Sequence, residues 1–350
     1  MAMKVSVCTT TYNQERFIAQ AVESALTQQT DFEYEVVIGE DCSTDRTRQI
    51  LIELRDRHPD KIRLLLREEN LGSHRNFVDT LKTCRGQYVA FLDGDDYWTS
   101  PHKLQKQVDF MDQHPDFALC GHRVEHIYEG LPPDCEGCTP PRNEAGTPRR
   151  GLVDYDVRYT PAQKEVGTLE DLLEDHHIPA CSAFFRNGLI SEFPAWFYKV
   201  RAGDWVLHVL NAQHGRVGFI NEIMGTYRIH HDGMWSGATR EARELGQIDL
   251  VRHLNRHFRY RYRRILARTL VAHYTRLSVV YEREGKLGMA RGTLAKTIVT
   301  WPSPRWLRRE SVVLILRLFS PRLLCFLQRL KRILLGGVRE DSMGKREREG

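Results

Sequence analysis

Apolar residues fall in two rhythms along the first 130 positions, and the alternation between them predicts the fold. Short solid runs, "KVSVCTT", "YEVVIGED", "KIRLLLRE" and "QYVAFLDGDD", have the length and branched content of buried strands. Between them, apolar residues spaced three and four apart predict helices. The first runs from about Glu15 to Gln28, with Phe17, Ile18, Ala21, Val22 and Ala25 on one face. The second is "STDRTRQILIELRDRH", with Ser43 or Thr44 as its N-cap; "GSHRNFVDTLKTC" and "PHKLQKQVDFMDQH" follow, the last with Pro101 in its first turn. Strand–helix alternation over short connections predicts an α/β fold, a mostly parallel sheet with helices on both faces. Ligands of such sheets sit at the carboxyl ends of the strands. Thr10–Asn13, Glu40–Ser43 and Asp93–Asp96 therefore should face one crevice.

Past residue 130 the rhythm breaks. Residues 130–166 are rich in Pro and Gly and lack periodicity, which predicts a long loop or insertion. Order resumes with "TLEDLLEDH", "ACSAFFR", the helical "GDWVLHVLNAQHG" and strands within "VGFINEIMGTYRIH". The expected division is a domain over 1–240, a helical basic extension over 241–335 and a disordered tail over 336–350. A composition 41% hydrophobic and 28% charged is that of a globular chain with ample core. The net charge of +5 conceals an asymmetry. Residues 1–250 carry 27 Lys/Arg against 39 Asp/Glu, and residues 251–350 carry 24 against 7. An acidic body with a basic extension predicts an anionic partner for the latter.

"MAMKVSVCTTTYN" enters a strand pattern directly, so no leader peptide is expected. Charge-free apolar stretches in the last 50 residues reach only about five, far below the roughly 20 that span a bilayer. The eight cysteines sit mostly in apolar runs, which predicts buried free thiols. "CEGC" (Cys135, Cys138) has zinc-ligand spacing, and Cys120, His122 and His126 would complete a set, but no second C-x-x-C accompanies it.

The chemistry concentrates in "QYVAFLDGDDYW". Asp93, Asp95 and Asp96 lie within four positions at a strand end, where they repel one another. They suit a hard divalent cation shared with a phosphate-bearing ligand, or else a solvated acidic turn. Together, "VSVCTTTYN", "VVIGEDCSTDRT", "ENLGSHRNF", "GQYVAFLDGDDYW", "AGDW" and "YRIHHDG" resemble, in order and spacing, the family 2 inverting nucleotide-sugar glycosyltransferases of the GT-A fold, of the kind that build bacterial cell-surface polysaccharide. The likeness covers residues 3–130 closely and 168–237 more loosely.

That resemblance implies roles. Thr10 and Tyr12 match positions that hold the nucleotide, the Tyr ring stacking on the base. Asp41 matches a carboxylate that accepts the N3–H of uracil, implying a UDP-linked donor, although Glu40 and Cys42 depart from the usual doubled acid followed by Gly or Asn. Arg75 falls where a basic residue often lies near the nucleotide; the alternative is an exposed helix Arg. "DGDD" matches the D-x-D motif: Asp95 as the first metal ligand, Asp93 and Asp96 sharing metal and ribose, with Mn²⁺ or Mg²⁺ as the cofactor. Asp204 matches the general base that takes the acceptor hydroxyl's proton, or else N-caps its helix; Gly203 replaces a frequent Glu. In "TYRIHHDG", His230 or His231 would complete the metal site, His230 being the closer match. No Q-x-x-R-W string follows, which implies single additions rather than processive synthesis.

Rival readings fit less well. A nucleotidyltransferase needs a glycine-rich basic loop after the first strand and a dinucleotide oxidoreductase needs G-x-G-x-x-G there; "TTTYNQERF" has neither. A catalytically inactive nucleotide-sugar-binding or scaffold module of the same fold is the remaining alternative. In the extension, Leu316, Phe319, Leu323, Leu327 and Leu330 share a helical face flanked by Arg322, Arg329 and Arg332, with Trp301 and Trp306 at its head and Pro321 dividing it. This pattern predicts an in-plane helix on an anionic membrane surface rather than a nucleic-acid arm, or a core helix. The expected setting is cytoplasmic, peripheral at the inner face of the membrane, with a saccharide or lipid-linked saccharide as acceptor.

Overall fold

In the computed structural model, residues 3–129, 164–175, 178–301, 314–315, 317–318 and 320 are described. They divide into two compact units, Met1–Ala238 and Thr239–Gly350.

The first unit grows from four strands, β1 (Val5–Thr11), β2 (Tyr34–Glu40), β3 (Ile62–Leu66) and β4 (Tyr88–Asp93), joined in parallel in the order β3-β2-β1-β4. Their connections are the helices α1 (Ile18–Leu26), α2 (Thr47–Arg57) and α3 (Ser73–Leu81). Side chains alternate across a sheet, and the two faces are covered differently. Val5, Val7, Val36, Ile38, Ala90 and Leu92 form one core with α1, α2 and α4 (Lys103–Gln113). On the opposite face Phe91 meets Phe77 of α3 with ring centroids 5.1 Å apart.

Beyond β4 the sheet becomes mixed. The short β5 (Tyr97–Trp98) pairs with β9 (Arg216–His230), and β6 (Phe117–Glu129) runs parallel to β9 through irregular register. β8 (Phe184–Arg186) is antiparallel to both β4 and β6, and β7 (Val166–Gly167) is antiparallel to β9. Among the described residues these nine strands form one mostly parallel sheet. Two short helices complete the unit: α5 (Leu169–Glu174), opened by a Thr168–Asp171 capping box, and α6 (Gly203–Asn211).

The expected strands and helices occur, with shifts at their ends. α2 begins at Thr47 and has no Ser43 or Thr44 cap. Asp45 instead accepts from Thr47 N at 2.9 Å, while Ser43 and Thr44 are drawn to Asn13, whose N–H donates to Ser43 Oγ and whose Oδ1 accepts from Thr44 N. The long β6 was not legible beforehand. Its polar His122 and His126 are buried, and burial holds their imidazoles neutral, with pKa values lowered to about 3 and about 4.

The second unit contains α7 (Arg240–His257), α8 (Arg263–Arg283) and α9 (Leu287–Thr300). Ile248, Val251 and Leu254 of α7 are buried, as are Leu266, Tyr274 and Leu277 of α8. A polar knot ties the two helices: Glu244 accepts from His273 at 2.7 Å and from Arg276 at 3.1 Å. Leu314 and Leu318 are buried, Arg317 pairs with Glu282 at 3.1 Å, and Leu318 O accepts from Arg291. This part of the extension serves as core. Leu316, Phe319, Pro321 and the rest of the expected membrane stripe lie outside the described residues, as do Trp306, most of the loop at 130–166 and the Cys135/Cys138 pair. Among the described residues no helix is long and apolar enough to cross a membrane.

Candidate active site at the strand ends

The register of the parallel strands brings the first candidates together. Thr10 pairs with Gly39 on one side and Asp93 on the other. Asp41 N donates to Thr11 O at 3.1 Å and Gly94 N to Thr10 O at 3.2 Å, fastening the three loops to one another. Tyr12, just past β1, is 45% exposed and available to a ligand. Asp41 is buried, and its carboxylate is aimed by backbone: Oδ1 accepts from Leu71 N at 2.8 Å and Oδ2 from Gly72 N at 3.0 Å. Each oxygen keeps a second lone pair. Glu40 has a different task. Fully buried, it accepts from Ser43 N at 2.6 Å and pairs with Arg48 at 2.5 Å, so it braces the loop.

The three acids of "DGDD" part company. Burial, followed by the charges of Asp95 and Asp204, pushes the Asp93 carboxyl well above the usual carboxylate range. Asp95 Oδ2 lies 3.0 Å from His230 Nε2, and the imidazole ring packs on Phe17 with centroids 4.8 Å apart. His231 points elsewhere, pairing with Asp232 at 3.0 Å while more than half exposed. Asp96 is 1% exposed and lies inside the protein, its Oδ1 accepting from Arg228 N at 2.8 Å. Arg228 was missed from sequence, yet it links four segments. Its guanidinium donates to Asp95 O at 2.7 Å and Gln20 Oε1 at 2.8 Å and pairs with Glu129. The available signal was a lone Arg inside an apolar strand run, which must find partners when buried.

Among the described residues no three His, Cys, Asp or Glu side chains already converge on one point. In chemistry and charge, however, the residues fit a hard divalent ion. Asp93 and the half-buried Asp95 repel one another, and His230, packed on Phe17, presents its Nε2 to Asp95.

Asp204 sits in the first turn of α6, whose N-cap is Ala202, so it does not cap that helix. Its charge acts on two neighbours, raising the Asp93 pKa and opposing the desolvation that lowers that of His74. His74 was not foreseen. A Cβ at Gly203 would come within 2.7 Å of its Nε2, so the imidazole fills space that a side chain at 203 would need. The ring lies 4.8 Å from Phe197, Nδ1 is 3.1 Å from Ser73 Oγ, and Nε2 is buried without a hydrogen-bond partner. Arg75 is not gathered with the other candidates. It lines a separate depression with Lys82 and Lys199.

A family model described as Glycosyl transferase family 2 matches residues 6–187. An uncharacterized protein of Mycobacterium tuberculosis is 36% identical over 242 residues, covering 69% of this chain and 63% of its own length. The match thus spans less than two thirds of such relatives. The poly(ribitol-phosphate) beta-N-acetylglucosaminyltransferase TarS of Staphylococcus aureus is 38% identical over 121 residues, 33% of this chain and 20% of TarS. A crystal structure of TarS 1-349 in complex with UDP-GlcNAc superposes with a TM-score of 0.59 at 21% identity, covering 87% of this chain and 83% of that one. The mannosyltransferase PcManGT of Pyrobaculum calidifontis, in complex with GDP-Man and Mn²⁺, gives 0.54 at 17% identity, covering 92% and 88%. At such identities the two structures establish a shared fold.

Proposed function

This chain belongs to glycosyl transferase family 2, and from that premise we propose that it transfers a sugar, one at a time and with inversion, from a UDP-linked donor to an acceptor hydroxyl. The observation that carries the reading is geometric. Gly72, whose N–H holds Asp41, caps α3, and two residues on the His74 ring fills the space against Gly203, the residue before Asp204; the Asp204 charge on Asp93 agrees with this. The acceptor oxygen forms its bond to the anomeric carbon as the bond to the diphosphate breaks, and the hydroxyl proton passes to the Asp204 carboxylate. Thr10 and Tyr12 hold the nucleotide, and the spare lone pairs of Asp41 accept the uracil N3–H. Asp93, Asp95 and His230 would hold Mn²⁺ or Mg²⁺, which would neutralise the departing diphosphate. Asp96 fastens β9 beneath them through Arg228 N.

Two complexes of fold relatives lend support, one with UDP-GlcNAc and one with GDP-Man and Mn²⁺; Asp41 favours the uracil nucleotide. The names of relatives such as TarS point towards cell-surface polymer synthesis, and the basic extension towards work at an anionic membrane face. Calorimetry with UDP, with and without Mn²⁺, together with hydrolysis of a panel of nucleotide sugars, tests the reading. UDP affinity should depend on the metal and collapse in Asp95→Ala. Metal-independent UDP binding in EDTA would remove the metal role. Binding with no hydrolysis of any sugar would instead identify an inactive module.

A further inference from the structure

His74 is an unusual residue for the space it fills. Its ring is wedged between Phe197, 4.8 Å away, and Gly203, where a Cβ would come within 2.7 Å of Nε2. An apolar ring would meet the demand of shape as well. Yet Nε2 is buried and, among the described residues, has no hydrogen-bond partner, which is costly for a polar atom. The other nitrogen accounts for the tautomer. Ser73 Oγ lies 3.1 Å from Nδ1 and donates its own hydrogen to Met234 Sδ at 3.7 Å. The hydroxyl oxygen is thus left to accept from Nδ1–H, and the lone pair of the neutral ring falls on Nε2. Desolvation lowers the pKa of the imidazole and keeps it neutral, and the charge that opposes this is that of Asp204.

A lone pair beside an ionised carboxylate has no hydrogen to accept, which accounts for the unmatched nitrogen. Protonation of Asp204 reverses this, because the new O–H can donate to Nε2. We propose that His74 is a positioning residue for Asp204, its Nε2 lone pair accepting a hydrogen bond from the carboxyl as the acceptor's proton arrives there. The proton stays on the Asp204 oxygen and leaves to water after the product, so no bond beyond those of the transfer is made or broken. The benefit falls on the transition state, in which the carboxylate is already partly protonated, and is absent from the ground state. The catalytic meaning of the pair rests on the transferase reading above; the pairing of Asp204 with His74 stands by itself.

Two measurements on the full chain test the pair. Long-range ¹⁵N NMR, with His74→Phe used to assign the ring, should show the Nδ1–H tautomer at pH 7.5. In Asp204→Asn the His74 pKa should fall below that of wild type, because the anion is gone and the carboxamide donates to Nε2. Hydrogen on Nε2, or an unchanged pKa, would overturn the pairing. Kinetics of nucleotide-sugar hydrolysis read its effect. His74→Phe keeps a ring in the space and removes the buried nitrogen, so its denaturation midpoint should equal or exceed that of wild type, with UDP affinity in Mn²⁺ retained. Its kcat should nevertheless fall about tenfold, with KM for the donor within about twofold. A merely space-filling ring would not separate stability from kcat in this way, and kcat within about threefold of wild type would overturn the catalytic part. His74→Gln, whose Oε1 can accept the same hydrogen bond, should recover at least about threefold over His74→Phe; no recovery would remove the lone pair as the acting feature. If wild type hydrolyses no nucleotide sugar, the transferase reading fails and the NMR result alone decides the pairing.

Discussion

At the scale of single residues, Asp204 and its neighbours admit a sharp test. Asp204→Asn keeps the shape of the side chain but cannot take a proton, and loss of a general base typically lowers rate by roughly 10²–10⁴. Donor hydrolysis should fall by that factor while calorimetric UDP affinity holds; turnover within about threefold of wild type would assign the base elsewhere. Gly203 and His74 should behave as a pair. Gly203→Ala forces a Cβ to within 2.7 Å of the imidazole, and overpacking of this kind costs about 1–3 kcal/mol. In a double-mutant cycle by chemical denaturation, His74→Ala should relieve most of that loss, whereas additive losses would show that the two do not share the space. Cys42 sits at φ 60, left-handed backbone where Gly or Asn is at ease. Cys42→Gly should therefore stabilise the protein, since relief of about 1–2 kcal/mol of left-handed strain outweighs the entropic cost of Gly, roughly 0.5–1 kcal/mol, read as a raised denaturation midpoint.

At the scale of elements, α4 carries a group that its helix pattern did not reveal. Lys103, in its first turn, is wholly buried, with Nζ 3.7 Å from the Trp98 ring centroid and, among the described residues, no hydrogen-bond acceptor. Burial lowers its pKa to about 7 from 10.5. The unfolded chain thus binds more protons than the folded one between those values, so stability rises with pH across that window and the penalty is fully present below pH 7. The expected slope approaches 1.4 kcal/mol per pH unit. Lys103→Met should flatten it in denaturation series at pH 7.5, 8.5 and 9.5; parallel curves for the two proteins would place the proton elsewhere. Lys103 also shows where sequence reading stops. The parallel strands and α1 to α4 were legible because buried apolar runs and helical spacing are local signals, and so were Thr10, Asp41 and Asp93, which strand-end register brings together. Local pattern could not show that Asp96 lies inside on Arg228 N, that Arg75 faces a different hollow, or that β6 buries two histidines. Those outcomes are set by partners far away in sequence, 132 positions in the case of Asp96 and Arg228.

At the scale of the whole molecule, the basic extension divides its labour. Leu314 and Leu318 are buried and Arg317 is paired, so this part of the extension is not free for the anionic surface proposed above, and the later arginines are its test. Co-sedimentation with vesicles rich in anionic lipid should be lost when Arg322, Arg329 and Arg332 are all changed to Glu, since each basic residue near such a surface contributes roughly 1 kcal/mol. Unchanged sedimentation at low salt would leave the extension a purely intramolecular role. The bonds of β9 to the acid cluster carry a different consequence. Asp95 and Asp96 take their partners Arg228 and His230 from more than 130 positions downstream. As the chain emerges from the ribosome, residues up to about 190 supply Thr10, Asp41 and the acid cluster without these braces or Asp204. Contacts of such separation form late. The nascent protein therefore holds its acids unbraced until β9 has been made, and catalytic competence arrives as a late event of synthesis.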